Sequence, residues 1–364
     1  MIAFLKKNGV WIGFLLLVVL LTIATEGSFL SARNLTNLLR QASINGILAA
    51  GMTIIILTGG IDLSIGSVVA LCGIVIGVTQ VNMGWANMGV GGALASSALA
   101  VLAGVILGVV NGALISGLRI APFVISLGMM VIARGLALIF SGGASLAPMS
   151  AEFSPVANAT LPMIPTAIVI ALICGGFLWF VLRSRKEGLM DAIFPLATFA
   201  LFSYAFLFYQ GFPILGIFLL LVMGLIGFVL TNTTFGRSIY ALGSNERAAF
   251  WAGVPVRKVT FYAYVIMGAL AGFAGVLLTA RLNGADPNAG QLFELDAIAA
   301  VVIGGTSLKG GQGGVLGTFV GALTIATLNN GMDLLGVPSF YQMVLKGVII
   351  VLAVGLDRGQ RTEA

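Results

Sequence analysis

Residues 46–78 read "GILAAGMTIIILTGGIDLSIGSVVALCGIVIGV". Two apolar runs flank "TGGIDLSIGS", which holds a pair of adjacent glycines, an aspartate and two serines. A carboxylate at bilayer depth costs roughly 2.5–3.5 kcal/mol or more, so it faces a cavity or a partner and not lipid. Gly59 and Gly60 permit backbone angles that a helix refuses, so one helix is expected to stop here and another to start. Asp62 or Ser64 can cap the second helix by accepting its free N–H groups. Broken backbone at membrane depth is tolerated only inside protein or along a wet cavity. The break therefore reads either as the wall of a solute path or as a cap that fixes a helix start. The two readings are compatible.

The whole chain shares this character. It is 59% hydrophobic and 8% charged, against ~25% charged residues in soluble domains. Its 50 glycines suit close helix packing and interrupted spans in membranes. The fold class is all-α, a polytopic membrane helix bundle. Histidine is absent, which removes His-based acid–base work, His–metal sites and a Ser-His-Asp arrangement. Cys72 and Cys174 lie far apart in apolar runs and read as thiols packed as small hydrophobes. The net charge of +6 is no nucleic-acid signal, because the basic residues cluster in loops beside apolar segments. The start, "MIAFLKKNGVWIGFLLLVVLLTIATEG", is expected to be an uncleaved first helix in preference to a cleaved secretory signal.

Apolar runs of spanning length fall at about 10–25, 41–57, 66–82, 91–116, 123–141, 163–182, 190–209, 213–231, 259–281, 295–304, 314–330 and 339–356. The tenth is too short to span alone and reads as a half-helix ahead of "GGTSLKGGQGG". Twelve segments put both termini in the cytoplasm if the first starts there. Positive charge supports that layout. The cytoplasmic side receives Lys6, Lys7, Arg119, Arg183, Arg185, Lys186, Arg237, Arg247, Arg257, Lys258, Arg358 and Arg361. The opposite loops carry Glu26, Glu152, Asp286, Glu294 and Asp333, with only Arg33, Arg40 and Arg281 as counter-charges.

Part of the chain echoes itself. "IIILTGGIDLSIGS" (54–67) and "AVVIGGTSLKGGQG" (300–313) share an apolar lead-in and the spacing G-G-x-x-L-x-x-G. "NGALISGLRIAPF" (111–123) and "NGMDLLGVPSF" (330–340) are a weaker pair. Glycine-rich membrane helices also resemble one another by chance. Taken as a repeat, halves at about 41–182 and 259–356 with interrupted helices at matching points indicate a transport site near the membrane midplane. The residues expected to border the route are Asn45, Gly59, Gly60, Asp62, Ser64, Asn111, Gly304, Gly305 and Thr306.

A second motif is the loop at about 232–258. Ser244 or Asn245 is a plausible N-cap, Glu246 falls in the first turn, Gly253 ends the helix and Pro255 prevents its continuation. The result is a cytoplasmic helix of about two turns with an exposed Phe250–Trp251 pair beside Arg247, Arg257 and Lys258. A helix this short is unstable alone, so it either docks on a partner or lies on lipid headgroups. "GGTSLKGG" has the wrong spacing for a phosphate-binding loop, so the chain is not expected to bind ATP. Arg134 and Lys346 are ionisable groups inside spans, with Asp296 near a helix mouth. Each could line a path, and snorkelling explains Lys346 equally well.

At these motifs the chain resembles the permease subunits of bacterial sugar ABC importers, the group serving ribose, xylose, arabinose and galactose. The likeness is near full length. It runs through "NLTNLLRQASINGILAAGMTIIILTGGIDLSIGS", "FGRSIYALGSNERAAFWAGV", "ELDAIAAVVIGGTSLKGGQGGVLGTFVGAL" and "LNNGMDLLGVPSFYQMVLKGVIIVLAV". It implies one transmembrane permease domain over 1–364 in the bacterial inner membrane, most simply as a homodimer. Its partners would be cytoplasmic ABC ATPase subunits, which hold the ATP and Mg, a periplasmic sugar-binding protein, the sugar and membrane lipid. It implies no nucleic acid, no catalytic residue and no metal or cofactor on this chain. The helix matching Ser244 to Gly253 becomes the coupling helix, with Ser244, Asn245, Glu246, Arg247, Phe250, Trp251 and Gly253 at the ATPase. One departure is an inserted helix pair at about 188–231, absent from the ten-span ribose type. It resembles the xylose-type branch and turns the expected substrate towards a pentose. The competing readings are a stand-alone secondary transporter or channel, for which Asp62 is the best carboxylate, and an intramembrane enzyme, which the lack of His and of a spaced acid pair disfavours.

Overall fold

The computed structural model describes residues 2–118, 120–183 and 189–359. Each expected apolar segment is helical. In chain order these are α1 (Ile2–Ala24), α2 (Ala32–Leu57), α3 (Ile65–Gly77) with a π turn Val78–Asn82, α4 (Val90–Leu118), α5 (Pro122–Ser141), the short α6 (Pro155–Asn158), α7 (Met163–Arg183), α8 (Leu189–Phe208) and α9 (Ile214–Asn232). The chain continues through α10 (Thr234–Ser244), α11 (Glu246–Trp251), α12 (Val256–Leu282), α13 (Phe293–Ile303), α14 (Val315–Leu334) and α15 (Ser339–Gly359). Among the described residues, 7 helices are long and apolar enough to cross a membrane unaided, while α1, α7 and α8 contribute the shorter stretches Gly9–Ala24, Met163–Gly175 and Phe194–Phe208. No β-strand forms among them. The fold is a polytopic membrane helix bundle.

Local chemistry sets the ends. Ser31 caps α2 by accepting the Asn34 N–H, and Pro122 opens α5 with a φ already suited to a helix. Helix α2 sits at the centre, nearly every side chain from Leu35 onward buried, with α9, α12, α13 and α14 packed round it. Helices α8 and α9, expected as an inserted pair, both pack on α2. Leu219 and Met223 of α9 lie against Gly46 of α2, where an added Cβ would come within 2.6 Å of the leucine. The thiols of Cys72 and Cys174 are free.

The tightest contact is the antiparallel pair α4 and α12. In lipid no hydrophobic gain separates helix–helix from helix–lipid contact, so small residues that let backbones approach drive association. Gly104 and Gly108 of α4 face Gly268 and Gly272 of α12. A Cβ on Gly104 would lie 2.4 Å from the Gly268 carbonyl oxygen, and one on Gly268 would lie 2.3 Å from that of Gly104. Both obstacles are backbone and cannot rotate aside. Gly268→Val should therefore force the helices apart at a cost of about 1–3 kcal/mol or more. The check is thermal unfolding in detergent, where Gly224→Val, a position with nothing within 4 Å, should leave the midpoint unchanged.

Candidate functional site

Helix α2 runs for 26 residues, about 39 Å, before it reaches "TGGIDLSIGS". The break thus follows a helix long enough by itself to cross a membrane. The apolar run counted from residue 41 misses the first turns of α2, because "ARNLTNLLRQ" is polar yet begins with a cap at Ser31 and continues the helix.

The two echoing segments end their helices identically. After α2, Gly59 takes φ +81°, its N–H reaches the Ile56 carbonyl at 2.9 Å, and the Gly60 N–H reaches that of Ile55 at 3.0 Å. After α13, Gly305 takes φ +84°, its N–H reaches Val302 at 2.9 Å, and the Thr306 N–H reaches Val301 at 3.1 Å. This paired pattern closes a helix on a left-handed glycine and satisfies its last carbonyls. The register differs by one from the sequence echo: the left-handed residue is the first glycine of one pair and the second of the other. Gly304, the helical cap, instead packs on Gly317 of α14, where its Cβ would strike backbone at 2.4 Å.

The two break loops meet. The Gly311 N–H donates to the Leu57 carbonyl at 3.0 Å, joining the end of α2 to the loop between α13 and α14. The last turn of α10 is wedged against both. A Cβ on Gly243 would lie 1.8 Å from the Leu57 oxygen and 2.4 Å from the Gly311 nitrogen, and Gly311 crowds Ser244 as closely. Tyr240 adds a bond from its hydroxyl to the Gly313 carbonyl at 3.0 Å. Gly59, Gly60, Ser244 and the loop after Gly304, Gly305 and Thr306 thus form one junction.

Helix α10 itself was not legible as a helix in the loop "TNTTFGRSIYALGS". Its signal is the apolar spacing Phe235, Ile239 and Leu242 behind a Thr233 cap that accepts the Gly236 N–H at 3.1 Å. Ser244 bonds back to the Tyr240 carbonyl at 2.8 Å, so Asn245 is the residue that caps α11, accepting the Ala248 N–H at 3.0 Å. Gly253 closes α11 with φ +84°. Glu246, Arg247, Arg257 and Lys258 are exposed around it. Phe250 is 64% and Trp251 84% exposed, their rings edge to face at 6.0 Å. The other basic residues used to orient the chain, Lys6, Lys7, Arg119, Arg183, Arg185, Lys186, Arg358 and Arg361, have side chains outside the described residues.

Asp62 and Ser64 occupy a buried knot beside this junction. The Asp62 carboxylate accepts the Ser64 backbone N–H at 2.8 Å and its hydroxyl at 2.6 Å. Ser64 in turn accepts from the Asn111 amide of α4 at 3.1 Å. Tyr264 of α12 and Ser126 of α5 both reach the Ile61 carbonyl at 3.4 Å. The expected side-chain cap on α3 does not form: Ser64 stands at the N-cap without accepting a helix N–H, and the Asp62 carboxylate instead holds the turn just ahead of α3, where side chains from α4, α5 and α12 converge.

Asn45 stands apart from these groups. It lines a polar cavity of about 130 Å³ near the opposite end of the bundle, between α2, α12, α13, α14 and α15. There Lys346 pairs with Asp296 at 3.0 Å, so the lysine is tied inward rather than only snorkelling. Arg134 is tied too: its guanidinium donates to the carbonyls of Pro287 and Ala289. It thereby holds the polar segment 283–292, which dips back to pack Gly290 against Gly66 of α3. No group of three or more residues suited to a metal ion occurs among those described.

Comparison with known proteins adds the following. The family described as "Branched-chain amino acid transport system / permease component" matches residues 34–354. The chain is 38% identical over 362 residues to the ribose import permease protein RbsC of Bacillus subtilis, covering 97% of this chain and 93% of that protein. It is 36% identical over 362 residues to the xylose transport system permease protein XylH of Escherichia coli, covering 94% and 89%. To the Escherichia coli RbsC it is 38% identical over 347 residues, covering 94% and 91%. No solved structure matches.

Proposed function

Because the chain belongs to the permease subunits of bacterial sugar ABC importers, we propose that it forms the translocation pathway of an ATP-driven, binding-protein-dependent importer of a pentose such as xylose. It is a multi-pass membrane protein and not itself an enzyme; ATP hydrolysis lies on a separate subunit. The observation that carries the mechanism is the wedge of α10 between the two break loops. An ATPase seated on α11 would push on α10, and α10 touches the ends of both the α2–α3 and the α13–α14 pairs. One displacement at the α11 end thereby reaches two interrupted helices together. ATP and Mg belong to that partner, two copies of this chain form the pathway, and a periplasmic binding protein delivers the sugar to the opposite end.

The exposed Arg237, Arg247, Arg257 and Lys258 at the α10–α11 end favour placing that end in the cytoplasm, with both termini there. Ribose and xylose relatives stand at nearly equal identity, so identity does not rank the two sugars. The inserted pair α8–α9 turns the choice to xylose.

Proteoliposomes holding this chain, its ATPase and its binding protein should accumulate xylose only with ATP and all three components, and unlabelled ribose should compete less well than xylose. Sugar equilibrating through the chain alone would instead make it a channel or secondary transporter. Asp62→Ala removes the carboxylate that holds the turn ahead of α3. Losing its hydrogen bonds to Ser64 costs about 1–3 kcal/mol, too little to unfold a large membrane bundle, so uptake should fall while co-purification with the ATPase persists. A variant that fails to insert or assemble would assign Asp62 to architecture alone.

A further inference from the structure

Arg40 and Arg281 meet at the end of the bundle away from α11, and among the described residues neither has a counter-ion. Asn158 of α6 brings them together. Its backbone carbonyl accepts from the Arg40 guanidinium at 3.2 Å. Its amide donates to the Ala280 carbonyl at 3.0 Å and to the Arg281 carbonyl at 3.5 Å. Both arginine side chains are half-buried. The charge that acts on Arg281 is that of Arg40, and like charges repel most where water is scarce. The Arg40 Nε is buried without an acceptor, and the Arg281 guanidinium has no hydrogen-bond partner among the described residues.

The neighbouring carboxylates do not relieve this pair. Asp296, in the cavity that Arg281 lines, is tied to Lys346 at 3.0 Å and to Asn329 at 3.2 Å. Asp333 accepts from the Gln342 amide at 3.0 Å, and Asp286 and Glu294 act on Arg134 instead. Charged groups withdrawn from water persist where an opposite charge meets them. Two unmet guanidinium groups at one place therefore call for an anion from outside the chain.

Helix length says which anion. Helix α12 has 27 residues, about 40 Å, against a hydrocarbon core of about 30 Å. Arg281 is its second-to-last residue and stands at headgroup level when α12 spans the bilayer. Phosphate is the common anion of that layer, and basic pockets between spanning helices suit anionic headgroups. Its oxygens match the guanidinium fork in pairs, so one phosphate can accept from both arginines.

We propose that Arg40 and Arg281, joined by Asn158, form a site for one phosphate group, carried by a phospholipid headgroup or free in solution. The bound phosphate neutralises the pair and fixes the Arg40 guanidinium that holds α6 to α2. The site lies outside the solute route and does not rest on the importer reading.

The test uses the full-length chain in neutral detergent, stripped of native lipid. Dihexanoyl-phosphatidylglycerol, dihexanoylglycerol and inorganic phosphate are titrated separately by calorimetry. Phosphatidylglycerol should saturate one site per chain, and Arg40→Gln with Arg281→Gln should raise its dissociation constant roughly tenfold or more. Arg33→Gln, at an exposed arginine on the same end, should leave it unchanged. Inorganic phosphate that binds with the same sensitivity to the double variant would make the phosphate alone sufficient. Lipid binding without it would make a headgroup the source. Dihexanoylglycerol binding as well as phosphatidylglycerol, undiminished binding in the double variant, or no saturable binding of either phosphate compound would overturn the site. If the double variant does not fold, the comparison of the two lipids on the unaltered chain decides alone. A double variant that keeps its lipid but loses the binding protein would assign the arginines to a protein carboxylate and overturn the proposal.

Discussion

Replacing Gly243 with valine should abolish sugar-stimulated ATP hydrolysis and uptake while leaving the helix bundle folded. The position tolerates no side chain: its Cβ would sit 1.8 Å from the Leu57 oxygen and 2.4 Å from the Gly311 nitrogen. Both are backbone atoms in the bond that joins the two break loops. Overpacking of this kind costs about 1–3 kcal/mol where neighbours can relax, and the element freest to move is α10. Helix α10 should lift off the junction, so a push on α11 no longer reaches α2 or α13. The rest of the bundle is held elsewhere, above all by α4 against α12. Uptake in proteoliposomes should therefore fall by roughly tenfold or more, with the unfolding midpoint in detergent little changed. Wild-type uptake in Gly243→Val would show that the junction does not transmit coupling.

The double replacement Phe250→Ala, Trp251→Ala should release the ATPase or leave its hydrolysis insensitive to the sugar-loaded binding protein. These rings are the large apolar groups of α11 and are mostly exposed in the isolated chain, although a Trp costs a great deal to leave in water. Buried aromatic anchors carry interface energy, with truncations costing about 2 kcal/mol or more, or roughly thirty-fold in affinity. Glu246 and Arg247 lie at the helix rim, and single replacements there should do less. Co-purification with sugar-stimulated ATPase assays reads both effects. If the aromatics instead rest on lipid headgroups, the double-alanine chain will keep its ATPase bound and coupled.

The bundle was legible in the sequence because a spanning helix announces itself by length and hydropathy, as α1 to α5, α7 to α9, α12, α14 and α15 did, whereas α13, of 11 residues, read only as a short apolar run. Helix α10 escaped because it is short and amphipathic, and its Thr, Arg and Ser residues read as loop beside the apolar runs. The echo of 54–67 in 300–313 gave two helix ends with one hydrogen-bond pattern, but neither which glycine turns left-handed nor that the two ends touch. That contact joins residues far apart in the chain and depends on Gly243, whose only sequence signal is the absence of a side chain. The Gly104, Gly108, Gly268 and Gly272 spacing is visible in the sequence, yet it names no partner helix. Asp62 and Asn111 were both singled out; the Ser64 hydroxyl that links them required the fold. Asn45 was picked with the break residues and lies with Asp296 and Lys346 in a separate cavity, because helical position alone does not say at which end a polar side chain finds company.

The coupling assignment is tested most directly by the emission of Trp251 itself. The chain has 4 tryptophans, so Trp11→Phe, Trp85→Phe and Trp179→Phe leave Trp251 as the reporter. Adding the ATPase subunit to this variant in nanodiscs should shift its emission to the blue and protect it from a soluble quencher, with no such change on adding anionic lipid vesicles. A blue shift produced by the vesicles, with none on ATPase binding, would contradict the account.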